Sequence, residues 1–182
     1  MYYAPKTFLC PYYVNTPMYN PVNMYAVHKI YQCPCYATIP MVSSPIKLKD
    51  YGPNPFVVDI EEATKQNSNF RIALWTGTHL QLTLMSINVG EDIGLEIHPN
   101  LDQFIRIEEG QGLVLMGDRQ DRLDFRAYVQ DDYAFIIPAG KWHNLINTGN
   151  RPLKLYSIYA PPQHPYGTVH ETKEDAEENH GL

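Results

Sequence analysis

The sequence lacks any cluster of basic residues: 14 Lys and Arg are spread over 182 positions and are outnumbered by 20 Asp and Glu, which gives a net charge of -6. Because contacts to nucleic-acid phosphates require concentrated Lys and Arg, nucleic acid is excluded as the main partner. No apolar run approaches the roughly 20 residues that cross a bilayer, so no membrane span is expected. A basic stretch followed by an apolar one is also missing at the N-terminus, and we therefore expect no Sec-type export. Small molecules and other proteins remain as partners.

Acidic residues are absent before Asp50, and Lys6 and Lys29 are the only charged residues among positions 1–45. These positions hold all three Cys, eight of the 14 Tyr, seven of the 15 Pro and four of the six Met. Frequent Pro disfavours long helices and central strands, so an irregular extension is predicted over residues 1–50. Its low charge differs from ordinary disordered segments. Its composition resembles the Tyr/Pro/Cys-rich segments of bacterial spore-coat proteins.

Cysteine is scarce, and its spacing does not match a metal or redox motif. Cys33 and Cys35 are separated by one residue, whereas zinc knuckles and thioredoxin-like sites use two. We therefore predict free thiols for these residues and for Cys10. Because the count is odd, at least one thiol stays unpaired within a chain and is available for an intermolecular bond in an oxidising setting.

After Pro55 the sequence becomes a series of short, turn-bounded, alternating segments. Residues 56–58 predict a short strand, and Asp59 followed by Glu62 predicts a capped helix that ends near residues 67–69. Further strands are predicted at residues 71–76, 79–89, 103–107, 113–116, 123–129, 133–137, 143–147 and 153–159. Such a series predicts an all-β protein with an antiparallel barrel or sandwich.

Four polar residues in the middle of the chain are candidate metal ligands. Glu96 and His98 are two positions apart in an alternating segment, so both side chains leave the same face of a strand. Gln103 begins the next predicted strand, and His143 follows a Pro/Gly turn at the start of a later one. Two imidazoles, one carboxylate and one amide can thus converge on one ion.

The spacing of these residues resembles the two motifs of the cupin superfamily. The first motif, which contains Gly, His-x-His, Glu and Gly, is matched in spacing by Gly90, Glu96, His98, Gln103 and Gly110. The second motif, which contains Gly, Pro-x-Gly, His and Asn, is matched in spacing by Asp132, Pro138, Gly140, His143 and Asn147. The resemblance covers about residues 54–165 and implies a bacterial single-domain cupin, an antiparallel double-stranded β-helix or jelly-roll barrel.

The resemblance also implies a divalent metal ion, such as Zn, Mn, Fe or Ni, held by Glu96, His98, Gln103 and His143. The family uses three His and one Glu, so two residue types differ here. A set of Gln, Glu and two His is similar to that of the phosphomannose isomerases. Asp102 is an alternative ligand, although strand alternation points it away from Gln103. A barrel that has lost its metal is the other interpretation. However, the two residues that differ from the family pattern, Glu96 and Gln103, both carry a side-chain oxygen that can coordinate metal.

Three hypotheses on function follow. The first is a metal-dependent isomerase that binds a sugar or sugar phosphate as a small polar molecule in the barrel. A phosphate group of the substrate could be bound by any of four basic residues, provided that its side chain faces the pocket: Arg71, Arg106, Lys141 or Lys154. The second hypothesis is a metal-dependent dioxygenase. The third is a structural or spore-coat assembly protein, in which residues 1–45 pack against the barrel or a neighbouring subunit.

The predicted organisation is an extension over residues 1–50, a barrel over residues 51–165 and a tail over residues 166–182. In the tail, Thr172 caps a short acidic helix that begins at Lys173 and extends to Asn179. We expect a homodimer or a higher homo-oligomer, located in the cytoplasm or associated with a spore. Histidines that either line the pocket or lie on the surface are His79, His164 and His170.

Overall fold

The regular structure of residues 45–178, the part of the chain that this computed structural model describes, consists of ten short strands and two short helices. The helices are α1 (Ile60–Gln66) and α2 (Lys173–Glu178). The strands are β1 (Arg71–Thr76), β2 (Gln81–Ile87), β3 (Glu96–Ile97), β4 (Asp102–Glu109), β5 (Gln111–Gly117), β6 (Phe125–Gln130), β7 (Ala134–Ile137), β8 (Trp142–Asn147), β9 (Leu153–Ala160) and β10 (Val169–His170). Predictions about residues 1–44, including the thiols and the packing of the extension, lie outside the described residues.

The strands form two antiparallel sheets. One sheet has six strands in the order β10-β1-β2-β9-β4-β7, and the other has four strands in the order β3-β8-β5-β6. Each sheet also pairs strands from distant parts of the chain, such as β2 with β9 and β3 with β8, as in a jelly roll. The predicted all-β antiparallel fold is therefore confirmed. Among residues 45–178, neither helix has the length and apolar character needed to span a bilayer.

Side chains on the inner face of the six-stranded sheet change from polar to apolar along β2, β4 and β9. At one end Gln81 of β2 lies opposite Tyr159 of β9, and Gln103 of β4 lies on the other side of the same tyrosine. At the far end Ile87 lies opposite Leu153, and both are fully buried. The apolar end supplies the core that stabilises the fold. The polar end is therefore the place where a ligand site can form.

The outer face of β1 and β2 is covered by the chain that precedes β1. Ile72, Leu74 and Leu84 pack there against Ala63 of α1. Partly buried residues that join this cluster are Ile46, Leu48, Tyr51, Phe56, Val58, Ile60, Leu82 and Tyr156. The leucine face of β2 is thus buried outside the barrel, and its Gln/Thr face lines the interior.

Both predicted helix caps are present. The Asp59 carboxylate accepts a hydrogen bond from the Glu62 amide (3.1 Å) at the start of α1. At α2, Asp175 N donates to Thr172 Oγ1 (3.3 Å) and Thr172 N donates to Asp175 Oδ2 (2.9 Å), which is a reciprocal capping box.

The structure corrects the strand predicted at residues 56–58. No strand forms there, because side-chain contacts rather than a hydrogen-bond ladder hold the segment. The Phe56 ring stacks on Tyr51 with centroids 4.3 Å apart, and Val57 is 97% exposed. Conversely, Val169 and His170, expected to be irregular, form β10 beside Ile72 and Arg71 of β1.

Candidate metal centre

Three of the four predicted ligands meet at the polar end of the barrel. Glu96 of β3 and His143 of β8 are direct partners in the antiparallel ladder. His98 follows two positions after Glu96, and the ligand atoms of all three residues lie within 4.8 Å of one another. The Oε1 atom of Glu96 is 3.4 Å from Nε2 of His98 and 3.3 Å from Nε2 of His143.

The turn before β8 sets the distance between the two imidazoles. Gly140 has φ +77, a left-handed conformation that favours glycine. Its amide donates to the carbonyl oxygen of His98 at 2.9 Å, which ties the turn to the end of β3. The two ring centroids, of His98 and His143, are consequently held 5.2 Å apart.

The ring of His143 is oriented by its own strand. Its Nδ1 atom lies 2.9 Å from the carbonyl oxygen of Lys141. A carbonyl can only accept a hydrogen bond, so Nδ1 carries the proton and Nε2 of the neutral ring presents a lone pair to Glu96 and His98. A backbone carbonyl that fixes the tautomer in this way is the usual support of a metal-binding histidine.

Three donor atoms in the cluster, Glu96 Oε1, His98 Nε2 and His143 Nε2, are buried and have no hydrogen-bond partner among residues 45–178. Leaving such atoms unpaired costs about 1–3 kcal/mol each. Donors about 2.1 Å from a tetrahedral ion lie about 3.4 Å apart, close to the observed separations from Glu96. The residues thus fit a divalent metal ion, and Glu96, His98 and His143 form a group that can hold one.

The fourth predicted ligand, Gln103, is buried on the same inner face. Its Nε2 donates to Ser157 Oγ at 2.9 Å, and its Oε1 has no hydrogen-bond partner among the described residues. It is the strand neighbour of Tyr159, whose ring meets His98 edge-on at 5.8 Å. The alternative ligand Asp102 is exposed, and its carboxylate instead accepts from the amide of Ala139.

The charge of Glu96 is stabilised by its surroundings. Burial opposes ionisation, but it is outweighed by the positive charge of Arg71 and by contacts in which His143 and His98 donate from Nε2, the stabilising role that a bound cation would take over. The pKa of the Glu96 carboxyl is therefore well below its usual range. An ionised carboxylate beside two neutral imidazoles is a suitable donor set for a divalent cation.

Asn147, the last residue of the second motif, is buried on the same face of β8 as His143, as predicted. Its amide donates to the carbonyl oxygens of Ile87 and Arg151, each at 2.9 Å, and accepts from the Gly149 amide. It thus fixes the turn that leads to β9 and is not part of the ligand cluster.

Tyr159 is a site residue that the sequence reasoning missed. It is fully buried, and its ring contacts His98 on one side and His164 on the other, with the second centroid distance 5.1 Å. Burial raises the pKa of its phenol, so Tyr159 stays a neutral O–H donor. The sequence contains a pattern that could have identified Tyr159, since alternation within residues 153–159 places Tyr159 and Ser157 on one face of the strand.

The sequence did not decide whether three further histidines line the pocket or lie on the surface, and the structure places them differently. His79 is exposed, whereas His164 and His170 are buried. Gln81 holds the backbone of His164 through two hydrogen bonds of 2.9 Å, one from its amide to the carbonyl and one from the His164 amide to its oxygen. His164 is thereby fixed against Tyr159.

A cavity of about 470 Å³ opens beside the cluster. Residues that line it include Phe70, Arg71, Glu96, His98, Gln163 and Lys173. Its volume lies within the range of small-molecule sites.

Comparison with known proteins agrees with this geometry. The family described as Cupin domain (Cupin_2) matches residues 83–159. The uncharacterized protein YrkC of Bacillus subtilis (strain 168) is 58% identical over 185 residues, which covers 97% of this chain and 97% of that protein. This chain belongs to the cupin family. The cupin is also similar to the uncharacterized protein L612 of Acanthamoeba polyphaga mimivirus, with 43% identity over 115 residues, 63% of this chain and 70% of that protein.

A solved structure supports the fold of this cupin. The crystal structure of BH2720 from Bacillus halodurans shares 72% sequence identity, with a TM-score of 0.72, and the match covers 72% of this chain and 99% of that chain. The family and the fold predicted from the two motifs are therefore confirmed.

Replacing Gly140 with alanine is expected to weaken metal binding by several-fold and to lower stability by about 1–2 kcal/mol, the cost of a left-handed residue that has a Cβ. The new Cβ would meet no atom within 4 Å, so backbone strain is the only direct cost. Relief of this strain would shift the turn and separate His98 from His143. Thermal unfolding and metal titration measure the two effects.

Gly167→Ala is the matched control. Gly167 has φ +74 and equally free space, but it lies in the loop before β10 and not in the turn that holds His98. We expect a similar loss of stability with unchanged metal affinity. Equal metal affinities in the two variants would contradict the positioning role of Gly140.

Proposed function

We propose that this cupin is a metal-dependent enzyme that converts a small polar molecule held in the cavity beside Glu96, His98 and His143. The observation that carries the proposal is the convergence of three buried donor atoms without hydrogen-bond partners among residues 45–178, two of which belong to residues that line that cavity, Glu96 and His98. Buried polar atoms are normally paired. An unpaired cluster of this composition beside an open space favours a site that holds an ion.

The proposed ligands are Glu96 Oε1, His98 Nε2, His143 Nε2 and Gln103 Oε1. Two of them are held by neighbouring groups: Ser157 binds the amide nitrogen of Gln103 and so leaves its oxygen available, and the Lys141 carbonyl orients the His143 ring. A divalent ion held there would supply Lewis-acid polarisation of a carbonyl or hydroxyl oxygen. The barrel wall limits the access of bulk water.

Aldose–ketose isomerisation of a sugar or sugar phosphate is the reaction that we propose first. It relocates hydrogens within one molecule, so it needs polarisation of an oxygen and groups that handle a proton, and no second substrate. Tyr159 offers a buried neutral hydroxyl that faces the side chains of Ser157 and Arg71. This hydroxyl can donate to a substrate oxygen. A dioxygenase reaction at the same site is the alternative, and it would require O₂.

Protein purified without chelators is expected to contain about one divalent ion per chain and to catalyse exchange of the C2 hydrogen of an aldose or aldose phosphate with solvent deuterium. Elemental analysis measures the first result and NMR in D₂O measures the second. Treatment with a chelator should remove both, and adding the metal back should restore them. Absence of metal that also cannot be added back would refute the proposed function. Substrate-dependent O₂ consumption without hydrogen exchange would assign the dioxygenase reaction instead.

A further inference from the structure

Arg71 is a buried cation in the wall of the cavity. It is 2% exposed, and alternation along β1 directs it to the inner face while Ile72 joins the outer cluster. Its strand neighbour on β2 is Met85, which belongs to the barrel core. The Phe70 ring lies beneath the guanidinium, with 5.5 Å between Cζ and the ring centroid. The inward position of Arg71 is therefore fixed by the sheet and by its packing.

This arginine has no counter-ion at contact distance. No carboxylate oxygen of residues 45–178 lies within 4.0 Å of its nitrogens, and its buried Nε has no hydrogen-bond partner among them, although the guanidinium interacts with the Tyr159 hydroxyl. The Glu96 carboxylate is nearby but makes its close contacts with His98 and His143. A buried charge without a partner is costly. Arg71 thus has the character of a binding group rather than of a structural ion pair.

The other basic residues considered for phosphate binding are already paired. Arg106 contacts Asp132 at 2.7 Å and Glu108 at 3.2 Å, and Lys141 contacts Asp118. The ammonium group of Lys154 donates to the carbonyl oxygen of Asn67. Lys173, which also lines the cavity, is paired with Asp92. Among these residues, Arg71 alone is both in the cavity wall and without an acidic partner.

We propose that Arg71 binds an anionic group of the substrate, so that the molecule this cupin takes carries a carboxylate or a phosphate. A guanidinium offers a planar fork that matches two oxygens of either group. The inference rests on the proposed function, because Arg71 lines the same cavity as the candidate ligands Glu96 and His98. A bound cation beside Arg71 would add further positive charge, which an anionic substrate would offset.

The test is calorimetric titration of the full-length protein, with its metal content measured in the same sample. The probes are a neutral hexose, the corresponding hexose 6-phosphate and the corresponding hexonate. We expect the phosphate, the carboxylate or both to bind at least about tenfold more tightly than the hexose, the effect of a charge-assisted hydrogen bond. The preferred probe identifies the source of the anion.

Variants assign the effect to Arg71. Arg71→Met keeps the length of the side chain without its charge and should remove the preference for the anion, while Arg71→Lys should retain part of it. Arg106→Met, which removes a surface cation that is paired with Asp132, should leave the preference unchanged. Equal binding of hexose and anions by the wild-type protein would overturn the inference, whatever the variants do. Anion preference that survives Arg71→Met would overturn it as well.

The outcomes separate the two proposals. A protein that binds metal but shows no anion preference refutes the role of Arg71 alone. A protein without metal that still prefers the anion, and loses the preference in Arg71→Met, supports the role of Arg71 and refutes the metal-dependent reaction.

Discussion

Replacing His143 with alanine is expected to abolish stoichiometric metal binding. His143 is 1% exposed, is held by the Lys141 carbonyl and supplies one of the three converging donor atoms. Loss of a supporting residue at a metal site already lowers affinity by about 10–100-fold, so loss of a ligand should lower it by more than about 100-fold. Competition with a chelating indicator, together with elemental analysis, measures the change.

Two further variants serve as controls for His143→Ala. His79→Ala removes an exposed imidazole and should leave affinity and metal content unchanged. Glu96→His restores the residue type that the family usually has at this position and should preserve metal binding. If His143→Ala binds metal as tightly as the wild type while its circular dichroism is unchanged, the ion is held elsewhere.

Replacing Asp50 with alanine is expected to lower the free energy of unfolding by about 3–5 kcal/mol, the range for breaking a buried charged network. Asp50 is 6% exposed, and its carboxylate accepts four hydrogen bonds. These come from the amides of Gly52 (2.9 Å), Thr76 (2.9 Å) and Gly167 (3.0 Å) and from the Thr76 hydroxyl (2.6 Å). One side chain thus joins the segment before the barrel, the end of β1 and the loop before β10.

Asp59→Ala is the matched control for Asp50→Ala. Asp59 is an exposed carboxylate that accepts one amide hydrogen bond as the N-cap of α1, and its loss should cost about 1 kcal/mol. Urea unfolding of both variants, analysed with a common m-value, gives the comparison. Equal destabilisation would show that Asp50 does not join the three segments in solution.

The sequence predicted most of the strands, both helix caps and the family through short-range patterns, although the strand expected at residues 56–58 does not form and β10 was not expected. Alternation, turn residues and motif spacing operate within a few positions of the chain, so they can be recognised without a structure. The second motif shows that such a pattern can be recognised even when one of its residues is replaced. Asp132 stands where the family has Gly and adopts φ 70, a conformation that Asp tolerates better than most residues. Its contact with the Arg106 guanidinium holds the turn.

Other features could not be predicted, because they depend on which face of a strand is inside. Alternation gives β2 a leucine face and a Gln/Thr face, but it does not say which one lines the barrel. Packing decides, since α1 and residues 46–58 bury the leucines from outside. The same applies to Arg71, which the sequence could not distinguish from Lys141 and Lys154, whereas strand alternation already pointed Arg106 away from Gln103.

The sequence by itself determined the barrel class and the candidate ligand types, because regular spacing sets local backbone geometry and the face that each side chain leaves. Only the tertiary structure decided that the ligand atoms of Glu96, His98 and His143 lie within 4.8 Å of one another, that Tyr159 packs against His98 and that Arg71 lines the adjacent cavity. The physical reason is that β1, β3 and the consecutive strands β8 and β9 are separated from one another along the sequence. Their side chains meet only when the two sheets bury their apolar end together, and that burial leaves the polar end as a site.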